Sequence, residues 1–168
     1  ANNLKPVALA ALHLHDAGEV FPPGVHLSRY PDHPRLRGRS LFIHLLDALE
    51  QRQLYRRMDP DNPDPLHNEL GGRGAPSAIV LPVLICPTDL IAENPVEYPS
   101  GRWHGLMSYG GNGGTGGTHR DLCEFSPIQT DGIFFETGPY SVPRPRQMAV
   151  RIEDIADGTS NTLFFGER

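Results

Sequence analysis

The chain has 168 residues, with 15 Lys and Arg against 20 Asp and Glu, for a formal net charge of −5. That length suits a single domain, and the charge excludes the basic footprint of a nucleic-acid binder. Hydrophobic residues make up 38%, enough for one modest core, while 18 Gly and 17 Pro predict long loops and little regular structure.

The first element is a helix from Leu4 to about Ala17. Asn3 stands where an N-cap belongs, and Pro6 is tolerated because it falls in the first turn. Leu4, Val7, Ala8, Ala11, Leu12 and His15 recur at the i, i+3, i+4 spacing of a buried stripe. Gly18 is a natural stop, and Phe21-Pro22-Pro23-Gly24 forces an extended turn. Arg35, Arg37 and Arg39 read as a solvated loop. Ser40 is placed to cap a second helix, roughly Leu41 to Met58, which Asp59-Pro60 ends.

Strands follow. Ala78–Cys86 (AIVLPVLIC) is β-branched and apolar and reads as a buried strand, with Pro82 pushing it toward a bulge or an edge. Trp103–Gly110, Gly132–Glu136, Met148–Ile152 and Asn161–Glu167 are further strand candidates, and the glycine run Gly110–Gly117 is a loop. Helices first and strands afterwards imply an α+β fold rather than a doubly wound sheet.

No catalytic constellation stands out. Gly111, Gly113 and Gly116 match the dinucleotide fingerprint literally, but no helix follows to receive a pyrophosphate. His13 and His15 sit two apart on a helix, so they point in different directions and cannot share an ion. Ser160 lies in GTSNT rather than in a nucleophile elbow. The chain therefore reads as a non-enzyme.

Calcium is the most credible ligand, because hard cations take several loop oxygens. Asp59, Asp61, Asn62 and Asp64 form one candidate set, and Asp154, Asp157, Ser160 and Asn161 form another. The structural alternative for the second set is that its acids bind backbone amides while Ser160 and Asn161 shape a turn. Cys86 and Cys123 fit no zinc spacing. They either close one disulfide, which contributes roughly 3–4 kcal/mol on chain-entropy grounds, or stay as two buried thiols. Trp103, Tyr109 and Asn112, with Tyr98 nearby, are candidates for a glycan- or solute-binding groove.

Five ordered segments carry a resemblance: Asn2-Asn3-Leu4-Lys5 with Leu9, Ala10, His15 and Asp16; Cys86-Pro87-Thr88-Asp89; Tyr109-Gly110-Gly111-Asn112; Asp131-Gly132-Ile133-Phe134-Phe135; and Arg151-Ile152 with Asp154–Leu163 and Gly166-Glu167. Together they resemble a family of bacterial exported proteins of unknown function, DUF1559, expanded in planctomycetes and opening with a prepilin-type signal. Two departures stand out: Pro6 replaces a usual Gln, and His13 lies one position later than the family's histidine.

The resemblance implies a single pilin-like exported domain over residues 1–168, its N-terminal helix packed on an antiparallel sheet. It also implies an upstream membrane helix and a C-terminal continuation beyond this sequence. On that basis the chain is a non-catalytic pilin- or pseudopilin-like structural or secretion component. It would sit on the periplasmic or cell-surface side, anchored in the inner membrane or assembled into a filament with itself or other pilin-like subunits through the helix. The alternative is a secreted glycan- or solute-binding module.

Overall fold

The computed structural model describes residues 3–30, 33–59, 65–114, 132–137 and 150–167. Helix α1 runs Leu4–Gly18. A hairpin of β1 (Val25–Tyr30) and β2 (His33–Ser40) follows, then two short helices, α2 (Leu41–Leu45) and α3 (Arg52–Arg57). Small strands complete the fold: β3 (Val96–Tyr98), β4 (Arg102–His104), β5 (Tyr109–Gly111), β6 (Glu136–Thr137) and β7 (Phe165–Glu167). The class is α+β, as expected.

Among the described residues the strands form three separate sheets. One has the order β2-β1-β6, with β1 antiparallel to β2 and parallel to β6; the others are the antiparallel pairs β3-β4 and β5-β7. Helix α1 packs on α2, on the 3-10 turn Pro82–Leu84 and on β7. Val7, Ala10 and Ala11 are its buried residues, and Leu4, Ala8 and Leu12 pack partly against the same core. The inward face of α1 is therefore the expected one, to within one residue. No helix among the described residues is long and apolar enough to cross a membrane.

Several local expectations are corrected. Asn3 makes no capping bond: its own backbone is helical, so its side chain cannot face the first-turn amides. It donates instead to the carbonyls of Pro82 (3.1 Å) and Ile85 (2.8 Å), pinning the start of α1 to the middle of the chain. Ser40 is extended, as a cap should be, but its hydroxyl makes no capping bond.

The second helix is broken between Leu45 and Arg52. Glu50 adopts φ 62°, a left-handed conformation that ends a helical turn, and Gln51 donates its amide to Leu46 O (2.8 Å). Arg52 then reaches back across the break to Asp47, 2.7 Å away. Ala78–Cys86 is not a strand, because Pro76 and Pro82 each sit in the first turn of a short 3-10 helix (Pro76–Ala78, Pro82–Leu84). Residues 35, 37 and 39 lie in β2 rather than in a loop.

His44 of α2 is half-buried and its Nε2 has no partner. Burial, then the nearby His26 of β1 and Arg39 of β2, push its imidazole below the ordinary histidine range. A lowered folded-state value means the unfolded chain binds more protons in the interval. Stability is then present above the unfolded histidine value and lost as pH falls toward the folded one. Urea titrations between about pH 7.5 and 5.5 should show stability falling on acidification, and His44→Gln should flatten part of that slope. An unchanged slope in the variant would refute the assignment.

Candidate functional site

The resembling motifs converge on one another, and they do so as scaffold. Strand β5 carries the Tyr-Gly-Gly of one motif and pairs with β7, the end of another, in the register Tyr109↔Glu167, Gly110↔Gly166, Gly111↔Phe165. Asn112, one of the groove candidates, ties three segments together. Its amide donates to Phe164 O (2.8 Å), and its carbonyl accepts from Ile133 (3.0 Å) and Phe134 (2.9 Å). Its side chain spans Leu163 O (2.9 Å) and Gly114 N (3.0 Å).

Tyr109 is 2% exposed and belongs to the core. Trp103 has the Arg73 guanidinium 5.1 Å over its ring. The three groove candidates are thus not brought together on one surface: Tyr109 and Asn112 hold the fold, and the face of Trp103 is already covered by a cation.

The C-terminal motif forms two consecutive 3-10 turns, Ile152–Asp154 and Thr159–Asn161. Asp154 Oδ2 accepts from the Arg151 amide (2.9 Å) and lies 3.8 Å from Arg151 Nε. Asn161 Nδ2 donates to Asp157 O (3.0 Å), and Thr162 Oγ1 donates to Gly158 O (2.9 Å). Gly158 has φ 74°, which its missing Cβ makes cheap. Ile152 N donates to Nε2 of His15 (3.2 Å), so α1 and the motif are joined directly.

Among the described residues, no group of three or more His, Cys, Asp or Glu could hold a metal ion. With Asp154 Oδ2 tied to the Arg151 amide and no such group among the described residues, added calcium or a chelator should leave the thermal midpoint where it was. A rise with calcium that a chelator reverses would overturn the structural reading. Asp59 has φ 44°, while Asp61, Asn62 and Asp64 lie outside the described residues. So does Cys123; its candidate partner Cys86 is buried, its thiol 3.1 Å from Thr88 Oγ1.

A concave feature among the described residues lies elsewhere, and no sequence motif points to it. A cavity of about 410 Å³ opens between α2, α3 and the segment that ends in β4. That falls at the small end of the range for ligand pockets. One wall is Phe42, Ile43, Leu46, Leu54 and Met58; the other is Ile79, Leu81, Leu84, Leu106 and Met107.

Polar residues gather on one side: Asn68, Glu69, Ser77, Arg102 and His104. Glu69 Oε2 lies 3.5 Å from Arg102 Nη1 and 3.9 Å from His104 Nε2. The Ser77 hydroxyl sits between the carbonyls of Asn68 (2.7 Å) and Trp103, so its proton is committed to the backbone. Gly105 donates to Ser77 O (2.6 Å), and a Cβ there would stand 2.8 Å from Ile79 O, so only glycine lets these segments meet.

Two of these residues each bury a polar atom without a partner, Asn68 Oδ1 and Arg102 Nε, shut off from the cavity space as from solvent. The Asn68 orientation is fixed by its other amide atom, Nδ2, which donates to Met58 O (2.9 Å). Nothing in the spacing of Asn68, Arg102 and His104 signals this site, because separate segments of backbone bring them together.

The family model described as a protein of unknown function, DUF1559 (SBP_bac_10), matches residues 1–168. No curated protein and no solved structure matches the chain.

Proposed function

Because the chain belongs to the DUF1559 family, whose function is unknown, we propose from the site itself that it is a non-catalytic binding module for a small, largely apolar solute. One observation carries this reading: a cavity of about 410 Å³ is lined largely by apolar side chains, with the polar residues Asn68, Glu69, Ser77, Arg102 and His104 beside them. The family's short label, SBP_bac_10, hints at a binding role. The Ser77 hydroxyl faces carbonyls rather than a base, which favours binding over nucleophilic chemistry.

A saturable shift of backbone resonances around α2 and β4, on titration with small apolar alcohols and amides, tests the proposal. Ile43→Trp, which fills the cavity from a half-buried position, should abolish the shift. No saturable response to any solute, or a response untouched by Ile43→Trp, would sink it.

A second reading keeps the pilin-like role, with export to the outer side of the inner membrane. It is favoured by α1, whose outer side presents Lys5, Leu9, His13 and Asp16, with Leu9 43% exposed, while its inner side is anchored in the core. Sedimentation of the whole gene product decides it: assembly that Leu9→Glu disrupts supports the role, and a monomer that needs no detergent counts against it.

A further inference from the structure

We infer that His15 is a pH-controlled latch between helix α1 and the C-terminal motif, closed while its imidazole is neutral and opened by protonation. The contact is a single hydrogen bond: the Ile152 amide donates to Nε2 of His15 at 3.2 Å. An imidazole nitrogen accepts only when it carries no proton, so the neutral ring holds its hydrogen on Nδ1. That atom is buried and makes no hydrogen bond, with Asp16 Oδ1 3.7 Å away. An imidazolium carries a hydrogen on both nitrogens. Its Nε2–H would point at the Ile152 N–H, donor against donor, so the contact cannot survive protonation. The bond lies at an exposed position, so water reaches Nε2 as the turn lifts.

Two opposed influences act on the ring. The Ile152 amide holds it neutral. Asp16 draws it toward the cation, as does the negative end of the helix dipole, because His15 stands in the last turn of α1. The other charged groups on the elements that meet here are Glu19, just past the end of α1, and Arg151, Glu153 and Asp154 on the facing turn. Arg151 is engaged by the acids of its own turn, 2.6 Å from Glu153 and 3.8 Å from Asp154. Opening is local. The bond from the Phe21 amide to Val150 O (2.8 Å) does not involve His15 and keeps the two segments within reach, so the latch can reclose. Neither His15 nor Ile152 lines the cavity, so the switch stands apart from the solute site.

Nuclear magnetic resonance of the full chain tests this. At about pH 8, above the ordinary histidine value, a long-range proton–nitrogen spectrum should show His15 with its hydrogen on Nδ1 and a bare Nε2. The opposite tautomer would overturn the inference. As the sample is titrated down to about pH 5, the nuclear Overhauser contact between the His15 ring and the Ile152 amide should disappear. Protection of that amide against hydrogen exchange, corrected for the intrinsic effect of pH, should fall roughly fivefold, the contribution of one ordinary hydrogen bond. The Phe21 amide should keep its protection. His15→Gln places an acceptor that does not titrate near the same point, so its Ile152 amide should be equally protected at both pH values. His44→Gln should open at Ile152 as the wild type does, which separates the latch from the acid response of His44. A protonated His15 with Ile152 still in contact, or the same acid opening in His15→Gln, would overturn the inference.

Discussion

Gly24→Ala should destabilise the fold by about 3 kcal/mol or more, at the upper end of what an overpacked site costs. Gly24 closes the Phe-Pro-Pro-Gly turn at a junction of three segments. Its amide donates to Phe135 O (3.0 Å), and its carbonyl accepts from Leu41 N (2.7 Å), the first residue of α2. A Cβ added there would run into the Phe134 carbonyl, 2.6 Å from its carbon. The obstacle is backbone, so no rotamer change relieves it; either the 132–137 segment or the entry to α2 must move. Gly18→Ala is the matched control. Gly18 ends α1, and a methyl added there would meet nothing within 4 Å, so alanine should be neutral or stabilising by up to about 1 kcal/mol. Urea unfolding of the two variants checks both. A Gly24→Ala protein as stable as the wild type would mean the three segments do not meet this closely.

Gly24 also marks the limit of what the sequence discloses. Proline and glycine announce a turn there, but not that two distant segments bond to its backbone. Helix α1 is legible because its signal is local: Val7, Ala10 and Ala11 face inward at helical spacing, and it ends at Gly18, though the left-handed cap falls one residue later, on Glu19. The second helix is shorter than its apolar pattern suggests because the break at Glu50 uses no glycine or proline, only a non-glycine residue held left-handed. Ala78–Cys86 misleads in the opposite way. Its β-branched run outweighs two prolines that in fact start 3-10 turns. The β1–β2 hairpin lacks any apolar alternation, since residues 26–40 are mostly polar or basic, and its pairing of Val25 with Ser40 is a long-range fact.

The candidate site is less legible still. The residues that attract notice in the sequence lie in motif segments and turn out to serve the scaffold: Asn112 joins segments through five hydrogen bonds, and Asp154 shapes its own turn through the Arg151 amide. The polar residues that line the cavity lie in stretches that read as loop or strand edge. They matter because the fold gathers them around one cavity. Such enclosure is three-dimensional and has no sequence pattern.

Phe21→Ala should cost about 3–5 kcal/mol, the range for emptying a buried aromatic site. Phe21 is 1% exposed. Its ring meets Phe164 edge-on at 5.2 Å, Phe134 edge-on at 6.1 Å and His15 at 4.7 Å, geometries that add to simple burial. Its amide also donates to Val150 O (2.8 Å). The residue therefore clamps the end of α1 to the C-terminal motif, alongside the bond from Ile152 to His15. Phe21→Leu, which refills part of the space, should recover about half of the loss. Native-state hydrogen exchange gives the sharper readout. In Phe21→Ala the Ile152 amide should lose protection more than the β1–β2 hairpin, because the clamp fails locally before the whole fold does. Phe21 does not line the cavity, so below the unfolding transition the variant should still bind an alcohol that the wild type binds. Uniform loss of protection across the chain would show Phe21 to be a general core residue and not the link between the two ends.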